Sequence, residues 1–434
     1  MIINILNLAK DVNKYILNNT PNYTQRTRKI NLFDATIFRL LMTKKNNRQD
    51  GVTININKYN NEHCSRSSYA DKENKLDLNF YKGIIDILDN YVKKDKYTKQ
   101  VVAVDGTYIN ILNNIDEFNQ NKKKSTITPL ISGIYNVTYK YPESLDLVTH
   151  KNEIKAFKDK YINNEKSKNC IFVFDRGYQS YHLFDALQTK NIKYICRIRQ
   201  NTKIINNYNE DMVTNININN NIIPIRKINY TINNTSYHIL TNLFDIKEYT
   251  VDKIKQFYHN RWDVEEYFKY LKRYHNLDNL NDKKINKLYK SIYTNLIVSK
   301  LIYILAAMKE KNIVKKVNKA RLVEGFYDEF VYKFIYYKGF NYKFIQKFMG
   351  NYINLYKERK DRKYERKCKR TTYKWYFKQY VGKNKKQSEP QKNTDNIIIN
   401  NKNDTLIEII VKNNKMNKIE PFTSTNKNSK IEPS

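Results

Sequence analysis

The stretch Cys170-Ile-Phe-Val-Phe-Asp175-Arg-Gly177 is a short apolar run that ends in an acid and, one residue later, a glycine. A run of this length, rich in β-branched and aromatic residues, predicts a buried strand. The same pattern occurs earlier, in Val101-Val-Ala-Val-Asp105-Gly106. Each strand would hold its carboxylate rigidly at a sheet edge, where ligands usually bind. Taken alone, an Asp that caps a strand or turn is the more common explanation of either motif.

Further predicted elements surround these two runs. Additional strands are expected at 130–139, 145–149 and 192–198, and helices at 153–161 and 180–188. Residues 202–243 are rich in Asn and predict small antiparallel strands at 222–228 and 236–243, hence a β insertion. Helical periodicity marks 30–41, 79–91, 251–275, 285–309 and 327–348. Strands that alternate with helices favour a mixed α/β sheet over a sandwich or a helical bundle.

The sequence is therefore divided into six regions. The predicted regions are a helical N-terminal region at 1–98, with either a DNA-end-binding or a packing role; the first part of a catalytic core at 99–200; a β insertion at 201–248; the second part of the core at 249–310; a helical basic region at 311–386; and a disordered polar tail at 387–434.

The charge of the chain narrows the class of partner. The 434 residues include 79 Lys and Arg against 43 Asp and Glu, which gives a net charge of +36. A surplus of this size favours a polyanionic partner, and nucleic acid is the usual one. The chain is also rich in Asn, Ile, Lys and Tyr, the residues that AT-rich codons specify, so codon bias is an alternative source of part of the charge.

Other classes of protein are disfavoured. The best apolar run, 296–308, is interrupted by Lys300 and predicts a buried helix rather than a membrane span. The N-terminus has no secretory signal pattern. The four cysteines are far apart and contain no CxxC pair, so neither a disulfide framework nor a zinc site is expected. The sequence contains no Gly-rich phosphate loop, so ATP use is not expected.

A third acid lies in a more specific pattern. Tyr258, Arg261, Glu265 and Lys272 occur at offsets of 3, 7 and 14. On an α-helix these four residues point to one side, beside an apolar stripe formed by Val264, Phe268 and Leu271. The simple alternative is an exposed helix with surface ion pairs, each of which is worth a few tenths of a kcal/mol.

The three acids together suggest a metal site. Carboxylates from two strands and one helix can converge on a pair of Mg²⁺ ions, because hard divalent cations prefer oxygen ligands. Two ions about 3.5–4 Å apart can activate an attacking oxygen and stabilise a leaving oxygen in phosphoryl displacement. Tyr, Arg and Lys side chains on the same helical face would then contact phosphates beside the scissile bond.

With these residues together, the chain resembles a DDE transposase of the bacterial insertion-sequence-four type, within the retroviral-integrase and ribonuclease-H-like superfamily. The matching segments are Asp105-Gly-Thr, Asp175-Arg-Gly-Tyr178 and the Tyr-x2-Arg-x3-Glu-x6-Lys pattern of Tyr258 to Lys272. The resemblance implies a ribonuclease-H-like mixed sheet with a β-strand insertion between the second Asp and the catalytic Glu, and helical regions at both ends.

The resemblance also implies roles for individual residues. Asp105, Asp175 and Glu265 would be the catalytic triad and would bind two Mg²⁺ or Mn²⁺ ions. Tyr258, Arg261 and Lys272 would contact transposon-end phosphates, and Arg176 is a further candidate for DNA contact. The implied activity is cleavage and strand transfer of double-stranded DNA, at transposon ends and target, by a homodimer in a synaptic complex.

Three further expectations concern aromatic residues. Some members of this family hold a flipped base against an aromatic residue of the β insertion. The insertion has no Trp, so Tyr208, Tyr230 and Tyr237 are the candidates for that role. Trp262 is expected to anchor the catalytic helix in the core. The basic, aromatic stretch 357–386 suits DNA contact, with a solvated helix or a nuclear-import signal as alternatives.

Two other functions stay open. One is a domesticated DNA-binding protein without catalysis, and the other is a ribonuclease-H-like nuclease without strand transfer. The expected location is inside the cell: the nucleoid or cytoplasm in a bacterium, or the nucleus or viral factory in a eukaryotic or viral setting. Neither a membrane nor ATP is expected as a partner.

Overall fold

An eight-stranded sheet lies at the centre of the fold. The computed structural model describes residues 2–19, 31–41, 43, 65–92, 99–112, 115, 118, 126–150, 152–200, 202, 211–218, 221–280, 282, 284–310 and 316–356. The strands are β1 Gln100–Tyr108, β2 Ile111–Leu112, β3 Thr126–Ile127, β4 Leu130–Asn136, β5 Tyr141–Val148, β6 Cys170–Phe174, β7 Lys193–Arg197, β8 Asp211–Ile218, β9 Asn221–Ile232, β10 Thr235–Thr241, β11 Lys316–Val317 and β12 Leu355–Tyr356. The α-helices are α1 Ile2–Asn18, α2 Leu32–Leu41, α3 Arg66–Lys75, α4 Leu78–Tyr91, α5 Glu153–Tyr161, α6 Tyr181–Thr189, α7 Val251–Asn260, α8 Trp262–Tyr274, α9 Ile285–Glu310, α10 Lys319–Gly325, α11 Val331–Tyr336 and α12 Tyr342–Tyr352.

The strand order of the sheet is β5-β4-β1-β6-β7-β10-β9-β8. β5, β4 and β1 pair antiparallel, whereas β1, β6 and β7 pair parallel. The two parallel crossovers contain α5 and α6, as parallel neighbours require. Three antiparallel strands that lead into two parallel ones form a mixed sheet of ribonuclease-H-like topology, so the predicted fold class is confirmed.

The β insertion continues this sheet. β10 pairs antiparallel with β7, and β9 and β8 follow outward. Arg226 of β9 fixes the insertion from inside. Its fully buried guanidinium makes two bonds to Asp211 and donates to the carbonyl oxygens of Leu243 and Tyr249. The Asn-rich segment is thereby tied both to its own first strand and to the chain that leads into α7.

Residues alternate between the two faces of the sheet, as the pleat of a β-strand requires. In β1, Val101 and Ala103 belong to the larger apolar cluster, which includes α8, α9 and the N- and C-terminal helices. Val102 and Val104 belong to a second cluster, formed with α5 and α6. The sheet therefore has a helical layer on each side.

α9 is the long apolar helix that the sequence predicted to be buried. It is long and apolar enough to cross a membrane by length and composition, but 72% of the relevant window is buried inside the protein. Lys300, which interrupts the apolar run, is fully buried; its ammonium lies 2.5 Å from Asp89 and 4.5 Å from the ring centre of Tyr141. An ion pair with α4 thus accommodates the one charge in this stretch.

Two predicted helices are interrupted. The helix expected at 251–275 is divided at Arg261, whose N–H bonds to Tyr258 three residues back instead of four. The helix expected at 327–348 is broken by a turn in which Tyr337 and Gly339 adopt positive φ. The proposed boundaries of the six regions stay predictions, and the stretch 357–386 and the tail lie outside the described residues.

Candidate active site

Asp105 lies within β1, which continues to Tyr108, and it lies beside Asp175, which directly follows the end of the neighbouring parallel strand β6. β1 and β6 pair in register from Gln100 with Cys170 to Ala103 with Val173. Since Asp175 keeps an extended backbone, this register continued by two residues sets Asp105 beside Asp175. Neighbouring strands are about 4.8 Å apart, so the two carboxylates start from adjacent backbone positions.

Both aspartates point to the same face of the sheet. Asp105 continues the alternation of Val101 and Ala103, and Asp175 continues that of Ile171 and Val173. All four apolar residues belong to the cluster that includes α8. The carboxylates therefore face the layer that contains the third predicted acid, Glu265.

α8 packs on β1 and β4, on the face of the sheet to which Asp105 and Asp175 point. Phe268 packs so closely on Gly133, the β4 partner of Asp105, that a Cβ there would lie 2.6 Å from the phenyl ring. Lys272 donates to the Tyr108 carbonyl at 2.9 Å. The seven residues from Glu265 to Lys272 span about 10 Å of helix, and three strand residues also span about 10 Å. Glu265 therefore lies near the level of Asp105.

Arg261 holds Glu265 in this structure. Its guanidinium donates to the Glu265 carboxylate at 2.7 Å, across one helical turn. Burial opposes the charge on Arg261, but the bond to Glu265 and the nearby carboxylate of Asp105 raise its pKa overall. One guanidinium thus lies within electrostatic reach of two of the three predicted acids.

The environment of Asp105 disfavours its charged form. Burial raises the pKa of Asp105 to about 7, and the carboxylates of Asp175 and Glu153 add to the effect. A hydrogen bond from the Gly106 N–H at 2.9 Å and the charge of Arg261 act in the opposite direction. The carboxylates of Asp105, Asp175 and Glu153 therefore act on one another electrostatically.

Such a site suits a divalent cation chemically, because it gathers several hard oxygen donors around a shielded carboxylate. Within the described ranges, however, no three His, Cys, Asp or Glu side chains are close enough together to hold one ion. In this arrangement the Glu265 carboxylate is paired with Arg261.

The residues predicted to contact DNA differ in accessibility. Arg176 is exposed directly after Asp175. Lys272 is occupied by Asp278, at 3.0 Å, and by the Tyr108 carbonyl. Tyr258 is only 5% exposed and lies 5.8 Å from the guanidinium carbon of Arg261. Lys272 and Tyr258 thus contact other residues of the protein, whereas Arg176 is exposed and available to a ligand.

Sequence reasoning missed two charged residues near the two aspartates, Arg197 and Glu153. Arg197 ends β7, and the β6–β7 register continued by one residue sets it beside Asp175. Its guanidinium carbon lies 4.4 Å from the ring centre of Tyr237. The signal was present, because Arg197 ends an apolar strand just as the two aspartates do. Glu153 is the first residue of α5, and the helical periodicity of 153–161 does not indicate that this residue approaches Asp105.

The aromatic predictions had mixed outcomes. Val264, Phe268 and Leu271 are buried as expected. The prediction that Trp262 is a core anchor is wrong: it is 53% exposed, with the Lys269 ammonium 5.1 Å from its ring centre. Its position one residue after the break at Arg261 turns it away from the apolar stripe.

The candidates for base stacking in the insertion also have defined surroundings. Tyr230 and Tyr237 stack on each other, with ring centres 5.0 Å apart and planes 5° from parallel. Tyr230 is 8% exposed. Tyr208 lies outside the described residues. The Arg197 guanidinium lies against the Tyr237 ring of this pair, and the role of the pair in base stacking stays a prediction.

Part of this chain is similar in sequence to known transposases. Residues 96–301 match the family model of the transposase DDE domain. A putative transposase for insertion sequence element IS4SA of Synechocystis sp. (strain ATCC 27184 / PCC 6803 / Kazusa) is 27% identical over 275 residues, which cover 60% of this chain and 77% of the relative. The piggyBac transposase in a synaptic complex with hairpin DNA, solved by cryo-electron microscopy, is 12% identical with a TM-score of 0.40, over 81% of this chain and 83% of that one.

Proposed function

We propose that this chain, whose residues 96–301 match the transposase DDE domain, is a DDE transposase of the insertion-sequence-four type that catalyses metal-dependent cleavage and strand transfer at transposon ends. The observation that carries this proposal is the pair formed by Asp105 and Asp175 just beyond the parallel pairing of β1 with β6, on the face of the sheet that packs against the helix containing Glu265. Acids at this edge of a mixed sheet are well suited to act on a ligand.

Asp105, Asp175 and Glu265 are the residues proposed to hold Mg²⁺ or Mn²⁺, with two ions per active site. When bound, these ions would supply Lewis acidity to the attacking and leaving oxygens of a phosphodiester. The raised pKa of Asp105 supports this assignment, since a cation would relieve the repulsion from Asp175.

Arg261 has a second role in the proposal. A guanidinium binds carboxylate and phosphate with the same planar pair of donors, so the two anions compete for it. DNA phosphate would draw Arg261 away from Glu265, and the released carboxylate would turn to the two aspartates. Binding of the transposon end would thereby complete the catalytic triad.

The other proposed DNA contacts follow from position and charge. Arg176 is exposed beside the second aspartate. Lys272 and Tyr258 lie on either side of Glu265 along the chain and would exchange their present protein partners for phosphates. The partners proposed are double-stranded transposon ends and target DNA, bound by a homodimer in a synaptic complex. The enzyme would act inside the cell, where its DNA substrate is.

The test is an assay of the full chain on DNA that bears the ends of its own element, with Mg²⁺ or Mn²⁺. The parent protein should nick these ends and join them to target DNA. Glu265→Gln should lower the rate by at least about a thousandfold, whereas Glu266→Gln, its exposed neighbour on the same helix, should not change it. Unchanged activity of Glu265→Gln would refute the proposal.

The same assay separates the two alternative functions. Cleavage without joined products from a supplied 3′-hydroxyl end would identify a nuclease. Salt-sensitive DNA binding without cleavage, equal in the parent and in Glu265→Gln, would identify a domesticated DNA-binding protein.

A further inference from the structure

A short turn joins α11 to α12, the last two helices of the described ranges. The turn consists of residues 337–341, of which Tyr337 and Gly339 adopt positive φ. The Asn341 side chain then caps α12 by accepting the Phe344 N–H at 2.9 Å. A helix that follows such a turn is the element that helix-turn-helix proteins present to the major groove of DNA.

An aromatic core fixes the orientation of α12. Phe348 packs on Phe330 with ring centres 5.1 Å apart, and Phe344 packs on the turn residue Phe340 at 5.7 Å. Ile345, on the same side of the helix, is fully buried. The buried positions 344, 345 and 348 follow helical spacing, so the opposite side of α12 faces solvent.

The exposed side of α12 is polar and cationic. Tyr342, Lys343, Gln346 and Lys347 are all exposed. The Gln346 amide donates to the Tyr342 hydroxyl at 2.7 Å, across one helical turn. Among the residues that the structure describes, neither Lys343 nor Lys347 has a carboxylate partner. Both ammonium groups are therefore available to an anionic ligand.

Acidic residues are missing from this pair of helices. Among the α-helices in the described part of the chain, only α11 and α12 contain no Asp or Glu. Asp328 and Glu329, which precede α11, act on the Tyr352 hydroxyl at the C-terminal end of α12, about 15 Å of helix from Tyr342. Codon bias would enrich Lys along the whole chain and does not explain this local absence of acids. A cationic surface of this kind complements the phosphates of a nucleic acid.

We propose that α12 is a DNA-contacting helix whose exposed side binds duplex DNA through Lys343 and Lys347. The major groove is wide enough for an α-helix, and the Tyr342 and Gln346 side chains supply hydrogen-bonding groups on the same side. The inference rests on the proposed function for the identity of the ligand, but it adds a binding surface that contains no residue of the catalytic site.

The test measures binding of the full chain to a fluorescently labelled duplex with the ends of its own element, by anisotropy in EDTA at several salt concentrations. The double variant Lys343→Gln/Lys347→Gln removes two charges from α12. We expect its affinity to fall about tenfold, and the slope of log affinity against log salt to decrease by roughly 2, at about 0.9 per phosphate contact. Lys155→Gln/Lys166→Gln removes two exposed lysines elsewhere, is the matched control and should bind like the parent.

Thermal unfolding of both double variants shows whether the fold is intact. If the α12 variant melts at a lower temperature, the single replacements Lys343→Gln and Lys347→Gln provide the same test. Each should decrease the salt slope by about one.

Three results would overturn the inference. The first is binding of the α12 variant within twofold of the parent, with an unchanged salt slope. The second is an equal loss of affinity in the two double variants, which would make the effect one of net charge. The third is tighter binding of the parent to duplex RNA than to duplex DNA, lost in the α12 variant.

These outcomes are separate from failure of the proposed function. Cleavage and joining of transposon ends by the parent, lost in Glu265→Gln, would leave the proposed function intact in all three cases. A parent that binds DNA through Lys343 and Lys347 but neither cleaves nor joins it would reject the proposed function and support the role of α12.

Discussion

Replacement of Asp105 by Asn should stabilise the metal-free protein at neutral and alkaline pH. The carboxylate is shielded from water and faces Asp175 and Glu153, so its ionisation costs more in the folded state than in the unfolded chain. Asn has nearly the same shape, and its side-chain oxygen can still accept the Gly106 N–H. The substitution therefore removes mainly the charge.

The size of the effect follows from the pKa of Asp105, which burial raises from 3.8 to about 7. A difference of about three pH units corresponds to roughly 4 kcal/mol, at 1.36 kcal/mol per unit. The folded pKa is above the unfolded one, so below about pH 4 both states are protonated and no cost arises. The cost grows as the pH rises from about 4 to about 7 and is complete above that.

The assay is urea unfolding in EDTA at pH values from 4 to 8.5. We expect Asp105→Asn to exceed the parent by about 2–4 kcal/mol at pH 8 and by almost nothing at pH 4. Asp159→Asn, whose side chain is 63% exposed, should follow the parent throughout. A loss of stability in Asp105→Asn at pH 8, or a gain independent of pH, would refute the electrostatic reasoning.

Three further predictions concern stability. Asp89→Ala should cost about 3 kcal/mol in urea unfolding, because Lys300 is fully buried and loses its carboxylate. Arg226→Lys should cost about 3 kcal/mol in the same measurement, since one ammonium cannot replace the two bonds to Asp211 and those to two carbonyls. His275→Gln should lose less stability in acid than the parent. Burial lowers the pKa of His275 to about 3, so between pH 6.5 and 4.5 the imidazole gains a proton only in the unfolded chain, and the parent's free energy of unfolding falls by up to about 2–3 kcal/mol. Urea unfolding of both proteins at the two pH values measures this difference.

Each of these predictions has a contrary result, and the Asp89 prediction also has a matched control. Asp86→Ala, an exposed residue on the same helix as Asp89, should change stability by less than about 0.5 kcal/mol. Equal effects of the two Asp replacements would contradict the importance of the buried pair. A stable Arg226→Lys protein would mean that water satisfies the carbonyls of Leu243 and Tyr249. An identical pH profile for His275→Gln would mean that the imidazole becomes charged without cost.

Much of the fold could be predicted because local pattern and tertiary structure agree in it. The apolar runs that end in Asp105 and Asp175 are strands, and their parallel pairing brings the two acids together. The apolar stripe beside Glu265 is buried on the sheet, as the helical spacing required. The strands and the buried helical stripe follow from periodicity within single elements, and the parallel pairing of the two strands follows from the alternation of strands with helices along the chain.

The features that escaped prediction depend on contacts between elements. Glu153 approaches Asp105 only because α5 packs on the far side of the sheet and Gly106 has no side chain there. Trp262 is exposed because the chain breaks at Arg261, and helical spacing alone does not reveal such a break. The strands of the insertion join the main sheet through β7, a pairing that no local pattern encodes.

The location of Mn²⁺ by anomalous diffraction, in crystals of the full chain bound to its transposon-end DNA, is the sharpest test of the metal site. We expect a peak about 2.1 Å from oxygens of both Asp105 and Asp175, with Glu265 turned away from Arg261 toward the same ion. A peak elsewhere, or no peak while the ion pair of Arg261 and Glu265 persists on bound DNA, would contradict a metal site built from these three carboxylates.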